Sequence, residues 1–258
     1  MFTMKLFVFF TFVLTYLLSS TVTAAENCSW EPQFVSNNTN YAVFEIENKN
    51  VLWSTTIPKS AVVDDFYKEI NSFTNTNQTI IRQNQLKIFL KHFNINDPGI
   101  QMMQLILAGQ LGKTVKTRCL ELLLLDLHLS RVGKNYYTEY GAYIFTKKEN
   151  IRIIYKSSDD ASVPESLQQK LDVKAAHDAG YELYAHLHLH PFNMHNPSGD
   201  IGGAAWPSGA GESYGDMGVY TSAYENYNLK QAWVTNGFDT LILNPTEFYQ
   251  LKNLKKTK

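Results

Sequence analysis

Residues 181–191 read Tyr-Glu-Leu-Tyr-Ala-His-Leu-His-Leu-His-Pro. From His186 the alternation of imidazole and leucine is strict, and a period of two is the period of a β-strand. The run therefore predicts a strand over 181–190, closed by Pro191, which lacks the N–H needed to continue a ladder. On that strand His186, His188 and His190 share one face and the leucines take the other, core-facing side. Imidazoles at i and i+2 can both reach one metal ion through their neutral ring nitrogens. The competing reading is an exposed polar face that happens to use histidine. Four of the chain's seven histidines fall between 186 and 195, a concentration that favours the metal.

Outward from this strand the pattern is mixed. Upstream, Pro164 to Ala179 predicts a helix with Pro164 near its first turn and Gly180 at its end. Tyr140 to Phe145 and Ile151 to Tyr155 are β-rich runs around a charged turn. Thr114 to Val132 is a strongly apolar helix, ended by Gly133. Downstream, residues 199–218 hold seven of the 14 glycines and read as loop, with a helix starting at Ser213. Gln231 to Asn236 and Thr240 to Leu243 form a hairpin around Asn236-Gly237. This order predicts an α/β fold, a mixed sheet flanked by helices, over residues 101–258. Residues 25–100 read as an N-terminal extension: a strand at Tyr41–Glu47 pairing with Val51–Thr55 across Asn48-Lys49-Asn50, then helices at Ala61–Phe73 and Gln83–Phe93. No catalytic constellation falls there.

Hydrophobic residues make up 44% and charged residues 18%, enough apolar content for a packed core. The 23 basic and 24 acidic side chains form no basic stripe, which argues against a nucleic-acid partner. Residues 1–24 read as a signal peptide: Lys5, an apolar run from Leu6 to Leu18, and small residues at Val22-Thr-Ala24. No later segment is long and apolar enough to span a membrane, so the expected location is secreted or periplasmic. In such a compartment Cys28 and Cys119 form either one disulfide or two buried thiols.

The ordered set His188-Leu-His190-Pro191 and Ser213-Tyr-Gly-Asp216, preceded by Glu139 on a strand after an apolar helix, resembles the signature of the JAMM (MPN+/JAB-type) metalloproteases. The resemblance covers about residues 114–245. It implies zinc held by His188, His190 and Asp216, with Glu139 as the catalytic base and Ser213 steadying the oxyanion. It also implies a peptide or isopeptide-type substrate. The spacing departs from the family pattern, because residues 192–212 intervene between the Pro and the Ser and read as a loop inserted over the cleft. That insertion leaves Asp200 as a rival third ligand, and we favour Asp216 because a helix start fixes its direction. Two other readings share the histidines. One is a metal-binding or interaction module without catalysis. The other is a cupin-type barrel, which wants a Glu a few residues after the His-x-His that residues 192–197 do not supply.

Overall fold

A computed structural model describes residues 28–47, 49–133, 135–160, 162–192, 203–211 and 215–254. The signal peptide read at residues 1–24, the Ser213 of the expected motif, His195 and the rival ligand Asp200 lie outside the described residues.

The fold is α/β, built on an eight-stranded mixed sheet. Its strands are β1 (Gln33–Asn37), β2 (Tyr41–Ile46), β3 (Lys113–Lys116), β4 (Tyr140–Lys147), β5 (Asn150–Ser157), β6 (Glu182–Leu189), β7 (Gln231–Thr235) and β8 (Asp239–Leu243). They lie in the order β1-β2-β5-β4-β6-β7-β8-β3, with β6 and β7 parallel and every other neighbour antiparallel. β1 and β3 are its two edges, so the sheet is open and not a barrel. The helices are α1 (Ala61–Phe73), α2 (Gln78–His92), α3 (Pro98–Leu107), α4 (Cys119–Val132), α5 (Leu167–Asp178), α6 (Gly215–Tyr227) and α7 (Pro245–Lys252).

The centre of the sheet is covered on both faces. In β4 every residue from Tyr140 to Thr146 is buried. Tyr140 points to the α4 side, where its hydroxyl donates to the Glu121 carbonyl at 3.1 Å. Tyr143 points to the opposite side, against His186 and a carboxylate oxygen of Glu165. α5 and α6 flank that second face.

Several local expectations need correction. α2 begins at Gln78 after its cap Asn77 and not at Gln83, α5 begins at Leu167 after its cap Ser166 and not at Pro164, and α3 has no counterpart among the expected elements. The apolar helix does not run from Thr114: residues 113–116 form β3, pairing Thr114 with Leu241. The β-branched Thr114 and Val115 suit a ladder better than a first helical turn. The helix begins at Cys119 after Arg118, whose amide donates to Glu121 Oε2 at 2.9 Å. In the N-terminal region, β2 does not pair with residues 51–55. Val51 and Leu52 close a short 3-10 turn, and β2 instead lies between β1 and β5. Cross-strand partners explain the choice: Phe44 faces Ile153, and Glu45 faces Arg152 with an ion pair of 2.5 Å. The N-terminal region, through β1 and β2, thus extends the same sheet that carries β6. Cys28 and Cys119 are joined in a disulfide, with Cα atoms 5.4 Å apart, tying the entry to β1 to the first residue of α4.

Candidate metal centre

Register assembles the site. β4 and β6 pair antiparallel with Gly141 opposite His188 and Tyr143 opposite His186. Side chains two apart share a face, so Glu139 lies on the face of Gly141 and His188, at the end of the strand near His190. Gly141 places no side chain across from His188. Glu139 Oε2 approaches His188 Nε2 to 2.9 Å. Backbone bonds hold Glu139 just before β4: its amide donates to the Asp160 carbonyl at 3.0 Å, and its carbonyl accepts from Ser158 N at 2.9 Å.

Asp216 arrives from the first turn of α6. Its Oδ1 is 2.8 Å from His188 Nδ1 and its Oδ2 is 3.3 Å from His190 Nε2. The rings of His188 and His190 stand nearly perpendicular, centroids 5.0 Å apart. His190 is fixed by its own amide, which donates to the Thr235 carbonyl at 2.8 Å. Asp216 and Glu139 therefore flank His188 at its two ring nitrogens, Nδ1 and Nε2, with His190 beside Asp216. Glu139, His188 and His190 each present a ligand-type atom within 4.8 Å of the others.

The electrostatics follow from burial and proximity. Burial opposes charge on His188, but the Asp216 and Glu139 carboxylates outweigh it and push the imidazole up to about 10. Burial likewise opposes ionisation of Asp216, yet His188 and His190 hold its carboxyl well below the usual carboxylate range. His186 lies deeper on the same face, between Tyr143 and Tyr220. Burial and the adjacent His188 charge push it down to about 3, so it stays neutral.

The donor set fits a divalent metal. Two imidazoles and two carboxylates are the nitrogen and oxygen ligands zinc accepts. Both carboxylates converge on His188, and their paired negative charge is what a dication would balance once it displaced the imidazolium proton.

Several contributors carry no local sequence signal. Ser208 caps α6 from eight residues upstream. Its hydroxyl oxygen accepts from Asp216 N at 3.2 Å, its carbonyl accepts from Met217 N at 3.3 Å, and its own amide donates to Asp216 Oδ2 at 2.8 Å. Gly215 makes this approach feasible: it has φ +65°, and a Cβ there would lie 2.7 Å from Ser208 Oγ. The segment leading to Ser208 is held from α2. Gln78 bonds to Gly203 and Ala205, and the buried Arg82 donates to the Ala205 carbonyl at 2.5 Å and to Thr114 Oγ1 at 2.8 Å. Behind Glu139, the buried His128 places Nδ1 2.7 Å from Ser157 Oγ and Nε2 2.9 Å from Thr138 Oγ1. The alternating histidines are visible in the sequence, but nothing in its spacing marks Ser208, Gln78, Arg82 or His128.

A scan against protein-family models and searches of curated proteins and of solved structures find no match to this chain.

Proposed function

We propose that this chain is an exported, zinc-dependent hydrolase of the JAMM type that cleaves an amide or isopeptide bond by attack of water. The observation that carries this reading is that Glu139, His188 and His190 present ligand-type atoms within 4.8 Å of one another, with Asp216 bonded to both histidines. His188, His190 and Asp216 would hold the ion, with Asp216 held in place by Ser208 and the start of α6. A bound zinc supplies a water of lowered pKa, towards about 7, and hence a nucleophile at neutral pH. Glu139 lines the adjoining cleft, so its carboxylate can take a proton from water there and pass it to the leaving amine. The Cys28–Cys119 disulfide supports an oxidising compartment. Among the described residues no helix is long and apolar enough to cross a membrane.

The test is metal analysis of the mature protein together with peptide and isopeptide hydrolysis, with and without chelator. About one zinc per chain and chelator-sensitive cleavage are expected, both lost in His188→Ala and His190→Ala. Unchanged metal content in the double variant overturns the site.

One observation favours a second reading, a metal-binding module without catalysis: Glu139 touches His188 directly and, among the described residues, joins His188 and His190 in a group that could hold a metal ion. If Glu139 is itself a ligand, Glu139→Gln weakens metal binding. If it is the base, Glu139→Gln keeps the metal and loses on the order of 10²-fold or more in rate.

A further inference from the structure

Next to the metal centre lies a cleft of about 480 Å³. Glu139 and His190 are among its lining residues. Its walls are Phe89 of α2, Met102 and Met103 of α3, and Trp206, Pro207 and Ala210 of the segment that leads to α6. Phe89 stacks on the half-exposed Phe93 at 5.5 Å, so the apolar track continues outward to the surface. No lysine, arginine or aspartate lines the cleft among the described residues, and Glu139 is its one acidic group.

We propose that this cleft binds an apolar side chain of the substrate, of leucine or phenylalanine size, flanking the bond that is cleaved. The proposal rests on the hydrolase reading above, since it is that reading that places a scissile bond at Glu139 and His190. Three features select this occupant. The volume is within the range of pockets that enclose small ligands, roughly 300–1,000 Å³, and so has room for a large side chain. The walls are aromatic rings and two thioethers, which repack around irregular apolar shapes. Charge disfavours the alternatives: an acidic side chain would face Glu139 across a wall with no lysine or arginine among the described residues, while a lysine would neutralise the carboxylate that must accept a proton. The cleft also gives the N-terminal region a task, because α2 and α3 contribute Phe89, Met102 and Met103 to its lining.

The experiment uses the full mature chain carrying ¹³C-methyl methionine, with the Met102 and Met103 signals assigned from Met→Leu variants. The probes are N-acetyl-X-methylamides with X as Ala, Leu, Phe, Asp or Lys, added to the metal-free and to the zinc-loaded protein. Leu and Phe probes are expected to shift the Met102 and Met103 methyls with about 10- to 100-fold tighter binding than the Ala probe. Asp and Lys probes should shift neither, and Met217, buried beneath the site, should stay still. Phe89→Asp should remove the preference for Leu and Phe. Equal response to all five probes, or a concentration-dependent shift without probe that marks self-association through this face, overturns the proposal. Peptides carrying the same five residues beside the scissile bond are assayed for hydrolysis in parallel. Selective binding without cleavage of any peptide removes the hydrolase reading and leaves the cleft standing. Cleavage indifferent to that residue removes the cleft and leaves the hydrolase.

Discussion

Ser208 and Asp216 hold each other reciprocally: the Ser208 amide donates to Asp216 Oδ2, and the Asp216 amide donates to Ser208 Oγ. The carboxylate is thereby aimed at both histidines before any ion binds. Removing a group that orients a ligand typically costs 10- to 100-fold in metal affinity. Ser208→Ala deletes the acceptor of the Asp216 amide while keeping the Ser208 N–H bond to Oδ2, and should weaken zinc binding by up to about 10-fold in a competition titration while the fold persists. Unchanged affinity would show that the Ser208 amide and α6 orient Asp216 without the hydroxyl.

Asp216→Ala should abolish zinc binding, whereas Asp200→Ala should leave zinc bound. Asp216 is buried against His188 and His190, and its loss leaves the two imidazoles with Glu139 as their one carboxylate partner among the described residues. Metal content of the two purified variants decides. The reverse pattern would assign the third ligand to the loop.

His128 should make the protein sensitive to acid. Burial pushes its imidazole down to about 4, below the ordinary value of 6.5, so the unfolded chain binds this proton more readily than the folded one. Stability is then complete above about pH 6.5 and falls as the pH drops towards about 4, by up to about 3 kcal/mol. Urea melts of His128→Gln should show a shallower loss over this window. His186 acts in the same direction, so the slope should shrink without vanishing. An unaltered slope would refute the assignment.

Reducing the Cys28–Cys119 bridge should destabilise the fold without touching the chemistry. The bridge closes a loop of 91 residues in sequence, which corresponds to about 2–5 kcal/mol. Denaturant midpoints with and without reductant give the measurement. An equal drop in zinc affinity would contradict the separation between bridge and site.

Arg82→Met should loosen the segment that carries Ser208. The change leaves the buried Ala205 carbonyl without its guanidinium donor, a loss of about 1–3 kcal/mol. We expect a lower urea midpoint together with weaker zinc binding, and a variant matching the parent in both would show that Gln78 suffices.

The central elements were legible in the chain because their signals are local. Period two in 181–190, the apolar run within Cys119–Val132 and the Asn236-Gly237 turn each state their own geometry, and β6, α4 and the β7–β8 hairpin follow. The histidines share a face for the same reason, since alternation is a property of the strand itself. What lay beyond the sequence was partner choice. Whether Tyr41–Ile46 pairs with residues 51–55 or with β5 depends on surfaces more than a hundred residues apart, where Phe44 meets Ile153 and Glu45 meets Arg152. The short β3 was hidden for a related reason: its pairing with β8 outweighs the helical pull of the apolar run that follows. Glu139 is one polar residue ahead of a β-rich run, and only the register of Gly141 against His188 brings it to an imidazole. Ser208 is recognisable only once the backbone before α6 folds back on its first turn. Local periodicity thus determined β6, α4, the β7–β8 hairpin and the face on which the histidines lie. Long-range hydrogen-bond register and packing decided which carboxylates, and which serine, stand beside them.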